Sequence, residues 1–200
     1  MTPSDDELLR LITAGDEEAF ATLYRRRQGS VFRFALLMSG CHATADDVTQ
    51  EVFLTLLREA HQYDSSRGAL LTYLYGIARK QVLRALKRRR PFTQLGDEEE
   101  PAPIRHLISQ DDPLNELTRN EVASAVRQAV LALPARYREA VVLCDFQEMS
   151  YAEAAEALDC SVGTISSRLN RARSLLAQRL RAGGRVGQAS LDAGRRRCLA

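Results

Sequence analysis

Apolar residues recur along most of this chain at spacings of three, four and seven, and the alternating β-branched runs that build strands are missing, so the pattern predicts an all-α fold. Asp16 suits the N-cap of a helix that buries Phe20, Leu23, Tyr24, Val31, Phe34, Ala35 and Met38 and ends at Gly40. A second helix is expected after Thr44, with Asp46 and Asp47 in its first turn and Val48, Val52, Phe53, Leu56 and Ala60 inward. The polar turn from Tyr63 to Gly68 closes it. A third helix, from Ala69 to about Arg90, buries Leu70, Leu74, Ile77, Ala78 and Val82 before Pro91 stops it.

The periodicity lapses from Pro91 to about Asn120, a stretch with four of the six prolines and the acids Asp97, Glu98, Glu99 and Glu100. It reads as a flexible acidic linker. Beyond it come a helix over Val122 to Leu131, another with Pro134 in its first turn, and a helix-turn-helix. Ser150 and Glu153 have capping-box spacing ahead of a short helix carrying Tyr151, Ala154, Ala155 and Leu158. Asp159 to Ser161 forms the turn, and the last helix turns Ile165, Leu169, Ala172, Leu176 and Leu180 inward. Two helical domains follow, over 1–90 and 121–182, with the linker over 91–120. A Gly/Arg tail over 183–200 is expected to be mobile.

Two hundred residues suit one or two domains, and 45% hydrophobic with 27% charged residues excludes collagen-like, mucin-like and wholly disordered chains. No run approaches the roughly 20 apolar residues of a membrane span, and Met1 to Glu7 is acidic where a signal peptide is basic and then apolar. A cytoplasmic protein without membrane contact of its own is expected. Cys41, Cys144, Cys160 and Cys198 are far apart and lack C-x-x-C spacing, so they read as buried thiols, with a redox role for Cys198 as the other reading.

The net charge of +2 conceals its distribution: +3 over residues 1–95, −6 over 96–121 and +5 over 122–200. Two basic blocks around an acidic connector suit two modules that touch polyanions. Lys80, Arg84 and Lys87 share one face of the third helix, Arg79, Arg88, Arg89 and Arg90 widen it, and no acid lies between Arg67 and Arg90. Such a cluster binds phosphates, and Tyr63, Tyr73 and Tyr75 add aromatic faces of the kind that grip unstacked bases. In a helix-turn-helix the second helix enters the major groove, so Ser166, Ser167, Asn170 and Arg171 are candidates for base edges and Thr164, Arg168 and Arg173 for phosphates. No catalytic motif or metal-ligand spacing is present, His42, His61 and His106 lack sequence partners, and no enzyme activity or cofactor is expected. From these residues alone, a dimeric helix-turn-helix regulator and a small nucleic-acid-processing protein remain alternatives.

The order of parts resembles the extracytoplasmic-function sigma factors of bacterial RNA polymerase. GDEEAFATLYRR (15–26) is similar to the family's region 2.1, ADDVTQEVFLTLLRE (45–59) to its region 2.2, and LPARYREAVVLCDFQEMSYAEAAEALDCSVGTISSRLNRARSLL (133–176) to its region 4. The resemblance implies a non-catalytic promoter-recognition subunit. Its partners would be core RNA polymerase, through the β′ clamp helices and the β subunit, promoter DNA in double- and single-stranded form, and an anti-sigma factor. Docking on the clamp helices would fall on Asp47, Gln50, Glu51, Leu54 and Arg58. Melting and capture of the −10 element would fall on Tyr63, Asp64, Ser65, Ser66, Arg67, Tyr73, Arg79, Lys80, Arg84, Lys87 and Arg88. The −35 element would be met by Thr164, Ser166, Ser167, Arg168, Asn170, Arg171 and Arg173. Tyr73, Lys80 and Arg84 stand where the family usually has Trp, Asn and Asp, and Ser166 where it often has Arg or Lys, so the promoter sequence does not carry over.

Overall fold

A computed structural model describes residues 3–66, 68–89 and 117–197. Among them every regular element is helical. Helix α1, Asp5–Thr13, has no counterpart in the predicted elements: it is short, opened by a capping box between Ser4 and Glu7, and held by buried Leu8, Leu9 and Ile12. Asp5 anchors it to the next helix through Arg26 Nη1 at 2.7 Å and Arg27 Nε at 2.6 Å.

Helix α2, Glu17–Ser39, begins and ends as its sequence predicts. Asp16 accepts the Ala19 N–H at 3.0 Å, and Gly40 closes the helix in the left-handed region at φ +67°. Gly40 is doubly constrained, since a Cβ there would stand 3.0 Å from Leu131 Cδ1 as well as strain the backbone. Helix α3, His42–Glu59, starts two residues before Thr44, which is buried, so Asp46 and Asp47 lie beyond the first turn rather than in it. A 3-10 turn, Ala60–Gln62, leads to the polar loop, and α4 spans Leu70–Arg89. Together α1 to α4 enclose Leu23, Phe34, Met38, Val52, Phe53, Leu56, Leu70 and Leu74.

Helix α5, Leu117–Leu131, starts earlier than its apolar period suggests. Pro134 is the N-cap of α6, Ala135–Val141, one position before the first turn assigned to it from sequence. A π-helical segment, Val142–Phe146, continues α6 and ends with Gln147 N–H donating to the Val142 carbonyl at 3.0 Å. Helix α7, Tyr151–Ala157, opens on the predicted Ser150–Glu153 capping box. Helix α8 runs from Val162 to Arg197. The helix therefore continues through most of the segment expected to be a mobile tail, since extending an existing helix needs no new nucleus. Ile165, Leu169 and Ala172 are buried as predicted, Leu176 is half-buried, and Leu180 and Tyr151 are exposed.

The two helical groups pack together. Tyr75 is buried rather than offering a face to solvent; its ring lies 5.3 Å from that of Phe34, and its hydroxyl donates to Gln147 Oε1 at 2.8 Å. The buried Arg138 guanidinium donates to the carbonyls of Met38, Leu131 and Leu133, so one side chain caps the C-terminal ends of both α2 and α5. Burial pushes its pKa down to about 10, with Glu139 opposing the shift. Cys41, Cys144 and Cys160 are half-buried rather than fully buried, and Cys198 lies outside the described residues. No described helix is long and apolar enough to cross a membrane.

Candidate nucleic-acid interface

Three surfaces carry the predicted site residues. The first is a stripe along α3, where positions three, four and seven apart share a face. Asp47, Gln50, Leu54 and Arg58 are exposed and Glu51 is half-buried, with Arg58 Nη1 3.6 Å from Glu51 Oε1. That pair is solvent-screened and adds little to stability. Leu54 is 44% exposed, and its neighbour Leu57, which the sequence analysis passed over, is 45% exposed. Two uncovered leucines on one charged helix form a surface whose burial favours association.

The second surface lies on α4 and the loop before it. Lys80, Arg84, Lys87 and Arg88 are exposed. Across a groove of about 790 Å³ the last three of these cations face Asp47 and Glu51 of α3, so the basic surface and part of the α3 stripe share one cleft. Arg79 is set apart from them: its Nε donates to Glu139 Oε1 at 2.9 Å. In the loop, Asp64 Oδ1 accepts the Ser66 N–H at 2.9 Å and the Ser66 hydroxyl at 2.7 Å, an Asx turn that leaves Ser65 and Ser66 at the surface. Tyr63 and Tyr73 are half-buried with ring centroids 5.6 Å apart. Burial first, and then its hydrogen bond to Asp6, raises the Tyr63 pKa well above the usual phenol value, and burial raises that of Tyr73. Arg67 lies outside the described residues. Gly68 lies against α7: a Cβ there would collide with the Glu156 carboxylate.

The third surface is the N-terminal half of α8. Ser161 caps it by accepting the Thr164 N–H at 3.1 Å, and its hydroxyl lies 2.8 Å from Thr164 Oγ1, so the Thr164 side chain is turned to the cap. Ser167, Asn170 and Arg171 are exposed, and Ser166 and Arg168 are half-buried. Ser167 Oγ donates to the Thr164 carbonyl at 2.9 Å, while Arg168 Nη1 is buried with no protein partner. Arg173 is clamped to Asp145 at 2.6 Å, which raises its pKa and fixes its charge. No group of three or more metal-ligating side chains occurs among the described residues.

Comparison with known proteins assigns these surfaces to a family. A Sigma-70 region 2 model matches residues 23–92, which take in most of α2 and all of α3 and α4, and a Sigma-70 region 4 model matches residues 123–176, from α5 into α8. The chain is 35% identical over 179 residues to the ECF RNA polymerase sigma factor SigM of Mycobacterium tuberculosis, covering 88% of this chain and 85% of that one. The chain belongs to the ECF RNA polymerase sigma factors. It is a sigma subunit of transcription initiation, in a family that is not enzymatic. Its fold is similar to CnrH, solved with the cytosolic domain of CnrY (TM-score 0.67, 25% identity, covering 90% of this chain and 99% of CnrH). It also resembles the sigma factor RpoE of Bartonella quintana, solved with the anti-sigma factor NepR (TM-score 0.60, 23% identity, covering 81% and 96%). The factor thus carries its α3 stripe and α4 basic face in region 2 and its helix-turn-helix in region 4.

Proposed function

We propose that this sigma factor docks on the β′ clamp helices of core RNA polymerase through Asp47, Gln50, Glu51, Leu54 and Arg58, with Leu57 extending the apolar centre. The observation that carries this is the pair of uncovered leucines, Leu54 and Leu57, set among charged neighbours on α3. Region 2, over 1–90, then melts and holds the −10 element. Lys80, Arg84, Lys87 and Arg88 meet phosphates and the loop from Tyr63 to Arg67, with Tyr73, receives an unstacked base, whose extrusion costs a few kcal/mol. Region 4, over 121–182, presents Ser166, Ser167, Asn170 and Arg171 to the −35 element, with Thr164, Arg168 and Arg173 on the backbone. The segment between α4 and α5 links the two regions and lets them reach separate promoter elements.

An anti-sigma factor holds the free protein in check; CnrH and RpoE, the solved relatives, are each held by a partner protein. The work is done where core polymerase and the chromosome are, in the cytoplasm. Mixing the full chain with core polymerase and following co-elution tests the docking face. Wild-type protein and Asn170→Ala co-elute with core, whereas Leu54→Asp does not; co-elution of Leu54→Asp at wild-type strength contradicts the assignment.

A further inference from the structure

Helix α1 carries two adjacent aspartates that point to different partners, as residues about 100° apart on a helix must. Asp5 is held by Arg26 and Arg27 of α2, which fixes α1 on the body of region 2. Asp6 has no part in that anchorage: its Oδ1 accepts the Tyr63 hydroxyl at 2.8 Å, from a residue 57 positions along the chain. The same hydroxyl lies 3.0 Å from the Gly68 carbonyl, so its single proton is shared between that carbonyl and Asp6. The ring so fixed faces Tyr73 across 5.6 Å.

We infer that Asp6 is a positioning residue for −10 recognition, holding the Tyr63 ring in the orientation that receives an unstacked base. This rests on the reading that the loop captures the −10 element. A loop fixed before binding loses less conformational freedom on capture than one that must order around its ligand. The bond to Asp6 is charge-assisted, and therefore stronger than a bond between neutral groups. Asp6 sets a negative charge beside the ring, so that edge repels phosphate and suits the uncharged face of a base. The cations of α4 take the backbone.

The test uses the full chain bound to core polymerase. Its probe is a forked DNA with the non-template strand unpaired across the −10 element, cut from the promoter giving the strongest run-off transcript with wild-type holoenzyme. Asp6→Ala weakens fork binding about tenfold, and Asp6→Asn, which keeps an oxygen for the Tyr63 hydroxyl, restores it to within about twofold. Tyr63→Phe, which also gives up the Gly68 carbonyl, loses at least as much as Asp6→Ala, and adding Asp6→Ala to it weakens binding no further, as two partners of one bond require. Wild-type binding by Asp6→Ala together with a loss in Tyr63→Ala overturns the positioning role and leaves the capture reading standing. Wild-type binding by both overturns the two together. Equal losses in Asp5→Ala and Asp6→Ala with no rescue by Asp6→Asn also overturn it, since α1 then acts only by staying folded.

Discussion

Arg79 Nε lies 2.9 Å from Glu139 Oε1, and the Glu139 side chain is 3% exposed. The pair joins α4 of region 2 to α6 of region 4, and it engages an arginine counted among the −10 contacts. A buried carboxylate stripped of its cation costs about 3–5 kcal/mol when both partners are buried. Arg79 is a quarter exposed, so Arg79→Ala is expected to lower stability by about 2 kcal/mol in urea denaturation. Adding Glu139→Ala to that variant recovers part of the loss, because no unpaired charge is then left behind. Charge reversal, Glu139→Arg, sets two cations face to face and separates the regions, read as a larger radius of gyration in solution scattering.

Arg138 serves a different purpose from its neighbour. With its guanidinium on the carbonyls of Met38, Leu131 and Leu133, replacement by Met keeps the length and leaves those helix ends without their donors. A loss of about 3 kcal/mol is expected, several times the effect of replacing the exposed Arg136 in the same helix. Equal urea midpoints for Arg138→Met and Arg136→Met contradict the capping role.

The capping box of α7 makes stability depend on pH. Hydrogen bonds from the Ser150 hydroxyl, and then the Ser150 N–H, lower the Glu153 pKa from its usual 4.5. A carboxyl whose folded pKa is depressed contributes stability that is present above the unfolded value and lost as pH falls through the folded one. Ser150→Ala is expected to cost about 1 kcal/mol at neutral pH, and the gap to wild type narrows as the pH drops below 4.5. Urea denaturation of both proteins on either side of that pH checks the sign.

The residues proposed to meet DNA are expected to separate into two kinds of effect. Asn170 and Arg171 are exposed on α8, and replacing either by Ala removes about 1–3 kcal/mol of discrimination at its own base position. Replacing Arg84 or Lys87 by Ala weakens promoter binding for all sequences alike and lowers the salt slope by about one. Titrating promoter binding against salt and against single-base variants distinguishes the two.

The helices were legible because their signals are local. Asp16 and Gly40 bracket α2, Ser150 with Glu153 opens α7, and the spacing of Ile165, Leu169 and Ala172 marks the inward face of α8. What the residues do not announce is long-range pairing. Arg79 reads as a free cation in a basic run until Glu139 arrives from 60 positions away, and Tyr75 reads as a possible stacking face until Phe34 and Gln147 cover it. Asp6 reads as one acid in an acidic N-terminal stretch, since its bond to Tyr63 spans 57 positions. Leu57 escaped notice because one leucine beside another in an amphipathic helix reads as core, and only the packing of α3 leaves it uncovered. The continuation of α8 to Arg197 was hidden by the glycines of that segment, which signal a break in isolation and are carried when a packed helix precedes them.

Region 2 is proposed to seat this factor on core polymerase and region 4 to aim it at promoters. Run-off transcription with core RNA polymerase from the same organism, on a pool of genomic promoters, tests it most directly. Specific transcripts that appear only with the wild-type protein, and disappear with Leu54→Asp while free-protein stability is unchanged, are the predicted result. Transcripts of equal strength with Leu54→Asp, or none from any template despite tight duplex binding by the protein alone, would contradict it.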